Sequence, residues 1–149
     1  WNTLTIAAGE SYSNETGITG LTTTPSPIPL TLASSLNPFF DLAGAVLTAK
    51  YAGVFRVDFY AQYNAIIANN QDAGVVVDDA IVSGTPSFQS GPAANLFQSS
   101  RGGTFGLSAS SFGLWTTSPG DQIQFTARSY TGQTGTTDLL LFGLFIVAF

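Results

Sequence analysis

The chain has 149 residues, a length typical of one domain with a buried core. It carries 4 basic and 9 acidic residues, for a net charge of −5 at pH 7, and 44% of its residues are hydrophobic. This balance excludes a disordered chain, and the few cations, which form no basic cluster, exclude broad contact with nucleic-acid phosphates. The sequence contains no Cys and no His. A disulfide, a thiolate zinc site, and a Ser-His-Asp or Cys-His catalytic site are therefore excluded.

Two weak strand candidates lie near the N-terminus, at Leu4–Ala8 and Ile28–Leu32. The second is predicted to be an edge strand, because the prolines around it lack the N–H that a central strand donates. Between them, Asn14-Glu15-Thr16 matches the sequon for N-glycosylation, a tripeptide that also arises often by chance.

The clearest strand signal runs from Val54 to Ala68, where side chains of two classes alternate. The apolar class comprises Phe55, Val57, Phe59, Ala61, Tyr63, Ala65 and Ile67. The mostly polar class comprises Arg56, Asp58, Tyr60, Gln62 and Asn64. Alternation over this length predicts a long antiparallel strand with one face in the core.

The next apolar runs, Val75–Val77 and Ile81–Val82, flank Asp78 and Asp79. We interpret the two acids as a hairpin turn, because Asp commonly caps its own backbone in turns. The alternative is a calcium site that Asp78 and Asp79 form with Asp72. Calcium needs about six to eight oxygen ligands, and the sequence has no Asp-x-Asp-x-Asp spacing. We therefore expect no metal and no other cofactor.

A long irregular stretch, rich in Ser, Gly and Pro, is predicted at Ser83–Gly103. Irregular stretches of this length often carry function. Phe88, Phe97 and Arg101 belong to residue types favoured at binding sites, so they are the candidate ligand-binding residues of this loop. The alternative role of the two Phe side chains is to pin the loop to the body of the protein.

The apolar positions change phase after this loop. Phe105 and Leu107 have odd numbers, whereas Phe112 and Leu114 have even numbers. The change predicts a β-bulge or a sharp bend at Ser110-Ser111.

The C-terminal part contains two predicted strands. Ser118-Pro119-Gly120-Asp121 is a turn, because Pro fixes φ at its second position and Gly accepts a positive φ at its third. Gln122–Tyr130 then alternates as a half-buried strand, and Thr131–Thr137 is a polar turn. Leu139–Phe149 shows no alternation, which predicts a strand buried on both faces.

About eight to ten strands with regular turns predict an all-β fold, a two-sheet antiparallel jelly-roll sandwich that spans residues 1–149 as one domain. Leu139–Phe149, the longest apolar run, is about half the ~20 residues of a membrane-spanning helix, so we expect no membrane insertion. A chain with this little charge is expected to bury apolar surface in an oligomer interface. The alternative is a monomer with a surface of uncharged polar residues.

Three sequence patterns occur in a fixed order along the chain. Asn37–Gly44 (NPFFDLAG) has an Asn, an aromatic-Asp pair and a Gly before a predicted strand, and Gly53–Phe59 (GVFRVDF) follows a Gly with aromatic and hydrophobic residues at every second place. Gly120–Phe125 begins with Gly-Asp, and Leu141–Phe145 (LFGLF) closes the pattern. In order and rough spacing these segments resemble the complement C1q globular head, in the tumour necrosis factor-like superfamily, and indicate a remote member.

The resemblance implies a ten-strand jelly roll that assembles as a compact homotrimer about a threefold axis. In that family the Gly-aromatic strand and the last strand lie in the inner sheet near the axis, and the Gly-Asp strand lies in the outer sheet. The resemblance thus implies that Arg56, Asp58, Tyr60, Phe142 and Leu144 lie toward the trimer interface, with polar contacts between subunits at Arg56 and Asp58. Ligand binding is then expected on loops and on the outer sheet.

The expected function is binding or display and not catalysis, because the acidic residues are scattered and few catalytic roles can be filled. Heads of this family cap trimeric stalks. A chain without Cys or His that is rich in Ser, Thr, Ala and Gly favours a bacteriophage or bacterial surface fibre. We expect a receptor-binding or adhesive head, the C-terminal part of a longer fibre or spike, located extracellularly or on a virion and binding a cell-surface receptor or glycan. The alternatives are a structural trimerisation cap of a spore-surface or collagen-like filament, and a capsid jelly-roll subunit.

Overall fold

The computed structural model describes residues 9–34, 39–67, 74–89, 103–130 and 135–148. Over these ranges the chain is all-β. The strands are β1 (Gly9–Asn14), β2 (Ser26–Pro27), β3 (Thr31–Ser34), β4 (Phe40–Ala43), β5 (Val46–Ala49), β6 (Gly53–Ile67), β7 (Val75–Ser83), β8 (Ser87–Gln89), β9 (Gly103–Thr117), β10 (Gln122–Ser129) and β11 (Thr136–Ala148). The part of the chain that the structure describes contains no helix long and apolar enough to cross a membrane.

The strands form two antiparallel sheets that pack as a jelly-roll sandwich. The six-stranded sheet has the order β3-β1-β11-β6-β9-β8. The second sheet is built around β10. On one side, β10 pairs with β7; on the other side, it pairs with β5 and β2 at different points along its length. The strand β4 pairs with β5. The predicted fold class is confirmed. The Gly-aromatic strand β6 and the last strand β11 are neighbours in one sheet, and the Gly-Asp strand β10 lies in the other.

The alternation predicted for the long strand is confirmed in β6. Phe55, Val57 and Phe59 are each at most 3% exposed and belong to the core. The ring centroid of Phe59 lies 5.5 Å from that of Phe125 on β10 and 5.9 Å from that of Phe142 on β11. Aromatic rings from both sheets therefore meet in the centre of the sandwich, at spacings typical of favourable aromatic pairs.

The predicted turn before β10 is also present. Gly120 has a φ of 90°, and the Asp121 N–H donates to the Ser118 carbonyl at 3.1 Å. The buried Asp121 carboxylate accepts hydrogen bonds from the backbone N–H of Ser118 at 2.8 Å and of Thr85 at 3.0 Å. The Gly-Asp pair thus fixes the turn and ties it to the segment after β7.

Two local predictions were wrong. Val75–Ser83 is one strand that pairs with β10, so Asp78-Asp79 is not a hairpin turn. No β-bulge occurs at Ser110-Ser111, because β9 keeps its register with β6 from one end to the other. The phase of the apolar residues changes because Phe112 occupies an outward position, where it is 55% exposed. Among the described strands, register shifts lie elsewhere: in β11 at Leu139–Leu141, in β1 at Ser11–Tyr12 and in β10 at Gln122–Ile123.

The weaker predictions had mixed outcomes. Within Ile28–Leu32, only the last two residues are in a strand, and that strand, β3, lies at a sheet edge as the prolines predicted. Of the Ser83–Gly103 loop, the described part includes β8, which pairs with β9. Leu4–Ala8, most of that loop and the first half of Thr131–Thr137 lie outside the described residues.

Candidate functional site

One side of the six-stranded sheet packs against the second sheet, and the other side, here called the aromatic face, points outward. The aromatic face consists of Val54, Arg56, Asp58 and Tyr60 of β6, Phe112 and Leu114 of β9, and Gly143 and Phe145 of β11. Phe112, Tyr60 and Phe145 are 55%, 46% and 45% exposed. Exposed aromatic side chains grouped on one surface are the kind of apolar patch that marks an interaction site.

Strand register sets the layout of the aromatic face. Asp58 lies opposite Phe112 on β9 and opposite Phe145 on β11. Two residues further along β6, Tyr60 lies opposite Gly143. Because neighbouring strands are about 4.8 Å apart, the three aromatic side chains form a compact group around Asp58.

The two charges of the aromatic face neutralise each other within one chain. Arg56 donates through Nε and Nη2 to the Asp58 carboxylate at 2.9–3.2 Å. The guanidinium carbon also lies 5.1 Å from the ring centroid of Phe112, within the range of a cation–π contact. The hydrogen bonds to Asp58 raise the pKa of Arg56 above its ordinary value. The aromatic face therefore contains a fixed ion pair and no net charge.

A depression of about 620 Å³ lies on this side of the sheet. Its lining includes the three exposed aromatic side chains of β6, β9 and β11. On the side of β1, Ser11 and Ser13 add hydroxyl groups to this lining, and the exposed Glu15 adds a carboxylate outside the aromatic face. An open concavity with a mainly apolar lining can receive apolar side chains of another protein surface.

The five predicted interface residues are divided between the two sides of the sheet. Arg56, Asp58 and Tyr60 lie on the aromatic face, and their contact with another subunit stays a prediction. Phe142 and Leu144 are 0% and 3% exposed and pack in the chain's own core, so the prediction that they face a neighbouring subunit was wrong. The sequence of β11 could not reveal this, because the strand is apolar on both faces.

The sequence analysis missed Phe112 and Phe145 as members of the exposed group. Residues that pair across antiparallel strands share a face, so Phe145 points outward with Asp58, and Leu144 points inward with Phe59. The useful signal would have been the register of β11 with β6. That register depends on residues far apart in the sequence.

The candidate ligand-binding residues are only partly within the described structure. Phe88 of β8 is partly buried against the core, with its ring centroid 5.9 Å from that of Trp115. This placement corresponds to the alternative role, in which the side chain pins the loop to the sandwich. Phe97 and Arg101 lie outside the described residues.

Asp78 and Asp79, the best acidic cluster in the sequence, serve separate contacts. Asp79 accepts a hydrogen bond from Trp115 Nε1 at 2.8 Å, which links β7 to β9 of the other sheet. Burial raises the pKa of Asp79. Asp78 lies 3.8 Å from Arg128 Nη2. Among the residues that the structure describes, which exclude Asp72, no group of three or more acidic side chains could hold a metal ion.

The side chain of the sequon residue Asn14 is part of the fold. Its Nδ2 donates to the Pro29 carbonyl at 2.6 Å, and its Oδ1 accepts from the N–H of Gly17 at 2.7 Å. Asn14 is 5% exposed. The folded chain therefore uses this amide to hold the turn after β1, and a glycan on Nδ2 is incompatible with the observed packing.

No family model and no curated protein matches this sequence. Solved structures do match it. Eiger TNF from S. frugiperda has 16% sequence identity and a TM-score of 0.54, covering 97% of this chain and 94% of that one. The globular domain of zebrafish complement 1qA has 14% identity and a TM-score of 0.53, covering 96% of both chains. PRD1 vertex protein P5 has 12% identity and a TM-score of 0.52, covering 96% of this chain and 97% of that one.

These similarities extend over nearly the full length of each pair of chains, and at such identities they concern the fold. They agree with the two antiparallel sheets of this chain. The chain therefore has the C1q/tumour necrosis factor-like jelly-roll fold.

Proposed function

We propose that this chain is the non-enzymatic, homotrimeric head of a surface fibre or spike that binds a receptor or glycan on a cell surface. The observation that carries the proposal is the aromatic face, on which three exposed aromatic side chains surround an ion pair that is complete within one chain. In this proposal the aromatic face is the trimer interface, and the head is located outside the cell or on a virion.

The chemistry of the aromatic face suits contact between copies of the same chain. Each copy has a net charge of −5, so an interface between copies must avoid collecting unpaired charge. The Arg56–Asp58 pair meets this requirement, because it leaves no charge for the partner to balance. Aromatic residues and Arg are the types enriched in the centres of protein interfaces.

Two further observations support a head that binds and does not catalyse. The fold is shared with a vertex protein of PRD1, a complement head and a TNF ligand. The sequence lacks Cys and His, and its nine acidic residues are scattered along the chain. If the aromatic face is covered by assembly, a ligand must contact the loops or the second sheet, and the loop with Phe97 and Arg101 is the candidate.

Light scattering tests the assembly. We expect a mass about three times that of the 15.5 kDa chain, as in other closed cyclic oligomers. A monomer at micromolar concentration would contradict the trimer and the role of the aromatic face.

A glycan array and adsorption to cells test the binding. Specific binding would support a receptor-binding head, whereas the absence of binding to both the glycan array and cells would favour the structural trimerisation cap. Arg101→Ala is expected to weaken adsorption without changing the trimer mass or the melting temperature. Unchanged adsorption by a well-folded Arg101→Ala trimer would exclude this residue from the binding site.

A further inference from the structure

Two side chains of the aromatic face lie over glycines of a neighbouring strand. The ring of Tyr60 on β6 covers Gly143 on β11, and the ring of Phe145 on β11 covers Gly9 on β1. A β-carbon added at either glycine would overlap the ring above it. Neither glycine has a positive φ, so other residues could adopt its backbone conformation. Each position therefore requires glycine for space and not for conformation.

The two glycines allow the rings of the aromatic face to lie closer to the backbone of the sheet. Side chains on a strand normally stand roughly perpendicular to the sheet. The rings of Tyr60 and Phe145 instead lean across the next strand, each into the gap left by a missing β-carbon. Such a ring presents a broad apolar surface close to the backbone. An opposing protein surface can then approach nearer to the sheet and pack at the density that stable interfaces require.

We propose that Gly143 and Gly9 are positioning residues for assembly, which keep Tyr60 and Phe145 low enough for a second copy of this chain to pack on the aromatic face. This inference rests on the proposed function. The choice of a second copy follows from the same features as before, an apolar surface whose one ion pair needs no partner.

The role predicts that a methyl group at Gly143 affects assembly more than folding. Tyr60 is 46% exposed, and the methyl would meet the ring at the end of a rotatable side chain. In the isolated chain the ring can rotate into solvent. In the assembly the rotated ring would project into the space of the second copy, and a packed interface does not accommodate added volume.

Sedimentation over a concentration series tests this role with Gly143→Ala. We expect the association constant of the variant to fall about 10- to 100-fold, which corresponds to the usual cost of adding volume to a packed site. The urea concentration at the unfolding midpoint of the dissociated chain should change little. Ser110→Ala is the matched control, because Ser110 lies on the other side of Tyr60, on β9, and the change adds no volume. It should assemble like the wild type.

A double-mutant cycle decides whether the methyl acts through the ring. In a Tyr60→Ala background, Gly143→Ala should have no further effect on assembly, because no ring is left to displace. An equal effect of Gly143→Ala in both backgrounds would overturn the proposal. Gly9→Ala, with and without Phe145→Ala, repeats the cycle for the second pair and has the same expected result.

The outcomes separate this inference from the proposed function. A wild-type chain that stays monomeric at every concentration contradicts the proposed function, and the positioning role with it. A wild-type trimer that Gly143→Ala and Gly9→Ala leave equally tight contradicts the positioning role alone.

Discussion

The two sides of the six-stranded sheet are built by the same strands, yet they place large apolar side chains differently. On the inner side, rings such as Phe59 and Phe142 are at most 3% exposed and pack against rings of the second sheet. On the aromatic face, Tyr60 and Phe145 lie over glycines and remain nearly half exposed. The inner side is thus complete within one chain, whereas the aromatic face has apolar surface left to cover.

The two sides also satisfy their charges differently. Glu10, on the inner side of β1, is fully buried and accepts hydrogen bonds from the Tyr12 hydroxyl and from the backbone N–H of Phe39 and Phe40. These bonds tie β1 to the start of β4 in the other sheet. On the aromatic face, the charged Arg56–Asp58 pair satisfies itself. Burial therefore demands fixed backbone partners, while a partly exposed pair needs only its counter-ion.

The largest expected effect is a difference in the free energy of unfolding between Phe142→Ala and Phe145→Ala, although both residues lie on β11. Phe142→Ala should lower the free energy of unfolding by about 3–5 kcal/mol, because it removes a fully buried ring. Phe145→Ala should change the unfolding of the dissociated chain by about 1 kcal/mol or less, because its ring lies outside the core. Urea denaturation of both variants measures the contrast. Equal losses would contradict the assignment of the two sides.

The effect of Phe145→Ala should appear in assembly. We expect the free energy of association to weaken by about 2 kcal/mol, as for an aromatic anchor in the centre of an interface. Sedimentation measures the change. Ile81→Ala is the matched control, because Ile81 is a similarly exposed apolar residue on β7, in the other sheet. If both variants weaken assembly alike, the interface is not confined to the aromatic face.

A smaller effect is expected for the ion pair. Asp58→Ala leaves Arg56 without its counter-ion on the proposed interface, so assembly should loosen, by less than in Phe145→Ala. The double variant Arg56→Ala/Asp58→Ala removes the unpaired charge and should recover part of the loss. Sedimentation of the two variants in the same buffer makes the comparison. A double variant that is weaker than Asp58→Ala would show that Arg56 has another partner in the assembly.

The last prediction concerns the pH dependence of the buried acid. Burial raises the pKa of Glu10 above 4.5 in the folded chain. Its protonation therefore stabilises the fold at low pH, and that contribution is lost as the pH rises through the raised pKa. Thermal unfolding from pH 4 to 8 should show a larger loss of stability in the wild type than in Glu10→Gln, whose side chain has nearly the same shape and cannot ionise, while the partly buried Asp79 titrates in both proteins. The control Glu15→Gln, at an exposed acid, should follow the wild type. Parallel curves for wild type and Glu10→Gln would contradict the prediction.

The outcomes at particular residues show where local reasoning succeeds. The alternation of β6 and the turn at Ser118–Asp121 could be predicted because each depends on neighbours in the chain: period-two polarity for a strand, and the backbone freedom of Gly120 for a turn. Asp78-Asp79 was misread as a turn because these residues can also lie in the middle of a strand, here β7, where the Asp79 carboxylate accepts a hydrogen bond from Trp115 of the other sheet. Trp115 is 36 residues away in the sequence, so a pattern of neighbouring residues could not predict this contact.

By itself the sequence determined an all-β chain with little charge, the strand whose two faces differ, and the resemblance that its ordered motifs carry. Only the tertiary structure decided which apolar residues of β11 enter the core and which ones face outward. The pairing of β11 with β6 sets Leu144 beside Phe59 and Phe145 beside Asp58. The physical reason is that paired residues share a face, and a strand that is apolar on both faces takes its orientation from its partner.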